Sequence, residues 1–80
     1  MNKEETPMKL DYTLLGARLR EARKARGWTL KEAAEKADCS AEFLGALERG
    51  LCKPMLDVFF RLCILLDLSA DEALAAARGE

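Results

Sequence analysis

The chain has 80 residues, half of them apolar and 34% charged, the mixture of one small globular domain and not of a disordered segment. Thirteen basic against fourteen acidic residues leave a net charge of −1, which excludes a polybasic nucleic-acid tail while leaving room for one local basic face. Histidine is absent, so imidazole acid–base catalysis, histidine triads and histidine-containing zinc sites are excluded.

Residues 1–9 are polar and read as a flexible tail ahead of a domain over 10–80. Asp11 is a plausible N-cap for a first helix over 12–26, with Leu15, Leu19 and Ala22 as its buried stripe and Gly27 as its stop. Thr29 with Glu32 fits a capping box opening a short alanine-rich helix over 30–37. Ser40 caps a third helix over 41–48, carrying Phe43, Leu44 and Leu47 and ended by Gly50. Only Asp38 and Cys39 separate the second helix from the Ser40 cap, so the two helices must cross steeply, as in a helix-turn-helix. A loop over 50–54 precedes a fourth helix over 55–67, and Ser69 with Glu72 opens a last helix to about residue 77. With no period-2 run bounded by turn signals, the predicted class is all-α, five helices around one core.

Cys39, Cys52 and Cys63 are odd in number and lack a CxxC pair, which points to free thiols packed as small hydrophobes in a reducing cytoplasm. Cys52, in the loop, is the thiol expected to be most exposed, and a redox role for it rests only on nearby Lys53. No signal peptide or membrane span is visible. No cofactor, metal or small-molecule ligand is expected, and without a nucleophile–base pair no enzyme active site can be assembled.

Four linked motifs carry a resemblance. They are Leu15-Gly16-Ala17-Arg18-Leu19-Arg20-Glu21-Ala22-Arg23 followed by Gly27-Trp28-Thr29, then Lys31 to Ala37 leading into Ser40, then Leu47-Glu48-Arg49-Gly50 with Lys53-Pro54, and finally Leu66 to Glu72. In this order and spacing the chain resembles the Cro/lambda-repressor type of helix-turn-helix domain, the XRE family, over about residues 12–74. The resemblance implies a compact lambda-repressor-like fold with its helix-turn-helix at the second and third helices. Ala34 falls where those helices touch, and Asp38 falls at the turn position the family usually gives to glycine; Asp tolerates a positive φ better than most residues. Arg23 and Glu48 match a family ion pair tying the first helix to the third.

The implied function is a DNA-binding transcriptional regulator, bacterial or phage-type and nucleoid-associated, with double-stranded DNA as partner. The base-reading positions carried over from the family are Ala41, Glu42, Gly45 and Ala46, which offer little hydrogen-bonding capacity: Glu42 can accept from cytosine and alanine offers a methyl contact to thymine. Thr29, Lys31, Ser40, Arg49 and Lys53 fall at or near backbone-contacting positions, so weak base readout over salt-sensitive phosphate contact is expected. Gly45 in mid-helix reads either as a close backbone approach to DNA or a partner helix, or as a tolerated exposed glycine. The arginines over 18–26 read as a solvated face.

Ten of the thirteen residues from 55 to 67 are apolar, more than one core face requires. The stripe Leu56, Phe59, Leu62, Cys63 and Leu66 is expected to face the core, leaving Val58, Phe60, Ile64 and Leu65 as a homodimer interface unless the fifth helix covers them. The competing reading is a helix-turn-helix domain repurposed for protein–protein interaction that does not read DNA.

Overall fold

The computed structural model describes residues 9–79, so all but the last residue of the expected tail lies outside the described residues. Among these residues there are five helices and no strand: α1 (Tyr12–Ala25), α2 (Leu30–Ala37), α3 (Ala41–Glu48), α4 (Leu56–Leu65) and α5 (Ala70–Ala77). No helix is long and apolar enough to cross a membrane.

Four of the five helices start on a side-chain cap. Asp11 accepts from the Thr13 and Leu14 amides, and Ser40 and Ser69 accept from the Phe43 and Glu72 amides. At α2 the capping box is complete: the Glu32 amide donates to Thr29 Oγ1 at 3.1 Å, and the Thr29 amide donates to Glu32 Oε1 at 2.8 Å. Met55 provides no side-chain cap to α4, which begins at Leu56 and ends at Leu65, shorter than the sequence suggests.

The helix ends share one device. A left-handed residue follows each of α1 to α4, namely Gly27, Asp38, Gly50 and Asp67. The next amide in each case, from Trp28, Cys39, Leu51 or Leu68, donates back five residues to Arg23, Ala34, Ala46 or Cys63. These are Schellman closures, which satisfy carbonyls the helix leaves orphaned and turn the chain sharply within two residues. Asp38 adopts φ 59° and ψ 47°, so α3 starts almost at once after α2.

The core joins Leu15 and Leu19 of α1 to the alanines of α2, Leu44 and Leu47 of α3, Val58, Phe59, Leu62 and Cys63 of α4, and Ala73 and Ala77 of α5. The α2 alanines let α3 and α4 pack closely. At the other end of the fold the Asp11 amide donates to the Ala77 carbonyl at 2.7 Å, and Arg18 pairs with Glu72 at 2.6 Å, tying α1 to α5.

On α4 the expected stripe needs correction. Val58, assigned above to a dimer interface, is only 5% exposed and belongs to the core, while Leu56, expected inside, is 81% exposed. Val58 and Leu62 share an i,i+4 ridge that faces the core. Leu56 stands at the first turn, and helical side chains lean toward the N-terminus, which carries it past the last packed layer. Leu65 is half-buried and packs against the core, so it too leaves the free face.

Candidate nucleic-acid interface

The site is built on the α2–turn–α3 unit, braced from behind by α1. Gly16 is the point of closest approach. A Cβ there would lie 2.3 Å from the Leu47 carbonyl oxygen and 2.5 Å from that of Glu48, so α1 and α3 cross with backbone against backbone. At Gly50 a Cβ would lie 2.6 Å from Thr13 Cα, so this turn meets the same helix. The sequence signals this only indirectly, as a glycine in the middle of a helix.

Beside that crossing lies the buried pair. Arg23 Nε donates to Glu48 Oε2 at 2.8 Å and Arg23 Nη2 to Glu48 Oε1 at 2.9 Å, a two-pronged fork; Nη1 donates to the Trp28 carbonyl at 2.9 Å. Both side chains are under a tenth exposed. The Glu48 hydrogen bonds, against the opposing effect of burial and with help from the Glu48 charge, hold the Arg23 guanidinium above its ordinary pKa. The fork sets α3 relative to α1 and to the loop that opens α2.

The outward residues of α3 begin at its N-terminus. Glu42 is exposed, Ala41 and Ala46 are half-buried, and Ser40 uses its hydroxyl oxygen to accept from the Phe43 amide at 3.0 Å. Thr29 is engaged in its capping box, with its hydroxyl beside the Glu32 carboxylate, whereas the Ser40 hydroxyl is used only as an acceptor and its O–H proton can meet an acceptor such as a phosphate. Lys31 and Arg49 are exposed; Lys53 is also exposed and carries its Nζ 5.6 Å above the Tyr12 ring. Of the two readings of Gly45, the structure removes the exposed glycine. It is buried, with space for a Cβ only 3.4 Å from the Arg49 guanidinium and 3.6 Å from Leu30 Cδ1.

Of the other arginines over 18–26, Arg18 and Arg26 are committed to the protein. Arg18 binds Glu72 and Glu21, and Arg26 lies near Asp67 and 5.6 Å from the Trp28 ring, with Lys36 on that ring at 4.9 Å. Arg61, which the sequence shows only as a break in an apolar run, donates to the Ala37 carbonyl at 3.1 Å and caps the end of α2. The thiols are all unpaired; Cys52 and Cys39 are half-buried and Cys63 is buried. Burial raises the pKa of Cys39 and of Cys63, which keeps both protonated near neutral pH. Among the described residues no cluster of acids and thiols can hold a metal ion.

The family model described as "helix-turn-helix domain" matches residues 14–76, from α1 through α5. The chain is a helix-turn-helix domain of the Cro/lambda-repressor type. It is 42% identical over 60 residues to the HTH-type transcriptional regulator ImmR of Bacillus subtilis, covering 75% of this chain and 47% of ImmR. The chain spans about half the length of the curated relatives it matches. Among solved structures, this helix-turn-helix domain is similar to the clp gene regulator ClgR of Corynebacterium glutamicum, at 35% identity and a TM-score of 0.79 over 94% of this chain and 96% of ClgR. It is also similar to the biofilm regulator SinR in complex with DNA, at 33% identity and a TM-score of 0.70 over 75% of this chain and 97% of SinR.

Proposed function

We propose that this helix-turn-helix domain is a DNA-binding transcriptional regulator that acts as a homodimer on a two-fold symmetric site. The observation that carries this reading is the α2–Asp38–α3 unit, braced by the Arg23–Glu48 fork, in a fold similar to that of SinR solved on DNA. In it α3 enters the major groove with its N-terminal residues toward the bases. Lys31, Arg49, Lys53, the Ser40 hydroxyl and the helix start at Thr29 meet the phosphates, and Ala41, Glu42 and Ala46 face the base edges. Gly45, covered by Leu30 and Arg49, contributes space and not contact. So few donors facing the bases make for weak direct readout, with shape and half-site spacing supplying the rest of the specificity.

The dimer reading rests on α4. Leu56, Phe60 and Ile64 recur at i, i+4 and i+8, are 81%, 62% and 64% exposed, and form one apolar ridge opposite the core face. A second copy laid against this ridge buries it, and a two-fold symmetric site asks the pair to present its two α3 helices about one DNA turn apart, roughly 34–36 Å.

The test is selection of duplexes from a random pool at low and at near-physiological salt. The expected result is a two-fold symmetric consensus that survives the higher salt. Retention at low salt without a consensus would remove sequence reading, and no retention at either salt would remove DNA as the partner.

A further inference from the structure

We propose that the notch between α1, the start of α2 and α3 is a second phosphate-binding point of this domain, with Arg20 as its unassigned ligand-binding residue. The inference rests on the DNA-binding reading and extends the binding surface onto α1. The notch is lined by Arg20, Arg23, Leu30, Gly45, Glu48 and Arg49. Its one acid, Glu48, is consumed by the fork to Arg23, which neutralises both. Arg20 and Arg49 remain. Both are exposed, and among the described residues neither makes an ion pair or a side-chain hydrogen bond, whereas Arg18, Arg23 and Arg26 all do.

The notch exists because residue 45 is glycine. The Arg49 guanidinium tip lies 3.4 Å, and Leu30 Cδ1 3.6 Å, from where a Cβ would stand, so a long side chain at this position would occupy the space between the two arginines. What is left is a concave wall of neutralised and apolar groups with two free guanidinium forks on it. A guanidinium presents paired donors that match two phosphate oxygens, and two of them converging on one concave surface concentrate positive charge there. The notch adjoins both the α2 start, where Lys31 lies, and the α3 residues proposed to face DNA, so the phosphate is assigned to the backbone of the same duplex.

The experiment measures binding of the full chain to a random-sequence duplex as a function of salt, by fluorescence anisotropy, for wild type, Arg20→Ala, Arg20→Lys and Lys24→Ala. If Arg20 neutralises a phosphate, Arg20→Ala lowers the slope of log K against log salt by about one. Arg20→Lys keeps the slope, because a point charge still displaces a counterion. Lys24 is an exposed α1 cation outside the notch, and its removal leaves the slope nearly unchanged. Thermal melting of all the variants should match wild type. Equal effects of Arg20→Ala and Lys24→Ala overturn the notch in favour of diffuse charge. So does an unchanged slope for Arg20→Ala while wild type binds. Inorganic phosphate that moves the Arg20 side-chain NMR signals while Arg20→Ala leaves the DNA slope intact reassigns the notch to a free anion. A wild-type chain that fails to bind the duplex at low salt overturns the DNA reading itself, and the notch with it.

Discussion

Arg23 and Glu48 show how much one pair of side chains can decide in a chain this small. The fork and the bond to the Trp28 carbonyl give each guanidinium nitrogen a partner, so the pair is tolerable inside, but neither charge is tolerable alone. Glu48→Ala is expected to lower the unfolding free energy by about 3–5 kcal/mol in urea titration. The double change Arg23→Met with Glu48→Leu should cost far less than the single change, because no charge is left stranded. Glu32 gives a second residue-scale prediction. Its carboxylate accepts the Thr29 amide and stands near the Thr29 hydroxyl and Lys36, which lowers its pKa. The unfolded chain therefore takes up its proton first as the pH falls. The stabilisation is complete above the ordinary carboxylate value and disappears as the pH drops through the lowered one. Melting temperature followed from pH 7 to pH 3 should fall less steeply for Glu32→Gln than for wild type.

The elements are held at two glycines with opposite roles. At Gly16 any side chain meets the Leu47 and Glu48 carbonyls, and backbone cannot yield as a side-chain tip can. Gly16→Ala should drive α1 from α3 and cost about 3 kcal/mol or more by chemical denaturation. At Gly45 the nearest neighbours are the ends of Arg49 and Leu30, 3.4 Å and 3.6 Å from where a Cβ would stand, which is ordinary van der Waals contact. Gly45→Ala should stabilise the fold by about 0.5–1 kcal/mol through restricted backbone freedom in the unfolded chain. A Gly16→Ala variant as stable as wild type would overturn the close crossing at Gly16, and a destabilised Gly45→Ala would overturn the room at Gly45.

At the scale of the whole molecule the question is what meets the ridge of Leu56, Phe60 and Ile64. Ile64→Asp places a charge on a side chain that is 64% exposed, so the monomer should fold unchanged. In a dimer through this ridge the charge is buried without a partner, and sedimentation equilibrium should show only the monomer. A dimeric mass that survives Ile64→Asp would place the interface elsewhere. Val58→Asp should instead unfold the chain, because Val58 lies in the core.

Local signals were enough to find all five helices, although α4, which has no side-chain cap, is shorter than expected at both ends. Caps, capping boxes and the residues after each helix lie within five positions of one another, so Thr29 with Glu32, Ser40, and Ser69 with Glu72 mark helix starts without any tertiary information. The linked motifs likewise carried the family. What the tertiary structure decided is which face of each helix has a neighbour. The apolar excess of α4 is legible in the sequence, but period alone did not distinguish Leu56 from Val58. Only the position of α4 at the edge of the core leaves the first exposed and covers the second. In the same way, a mid-helix glycine reads alike at 16 and 45, and only the crossing of α1 on α3 makes one a meeting of backbones and the other the floor of a notch. Packing is a relation between distant segments, and no local pattern records it.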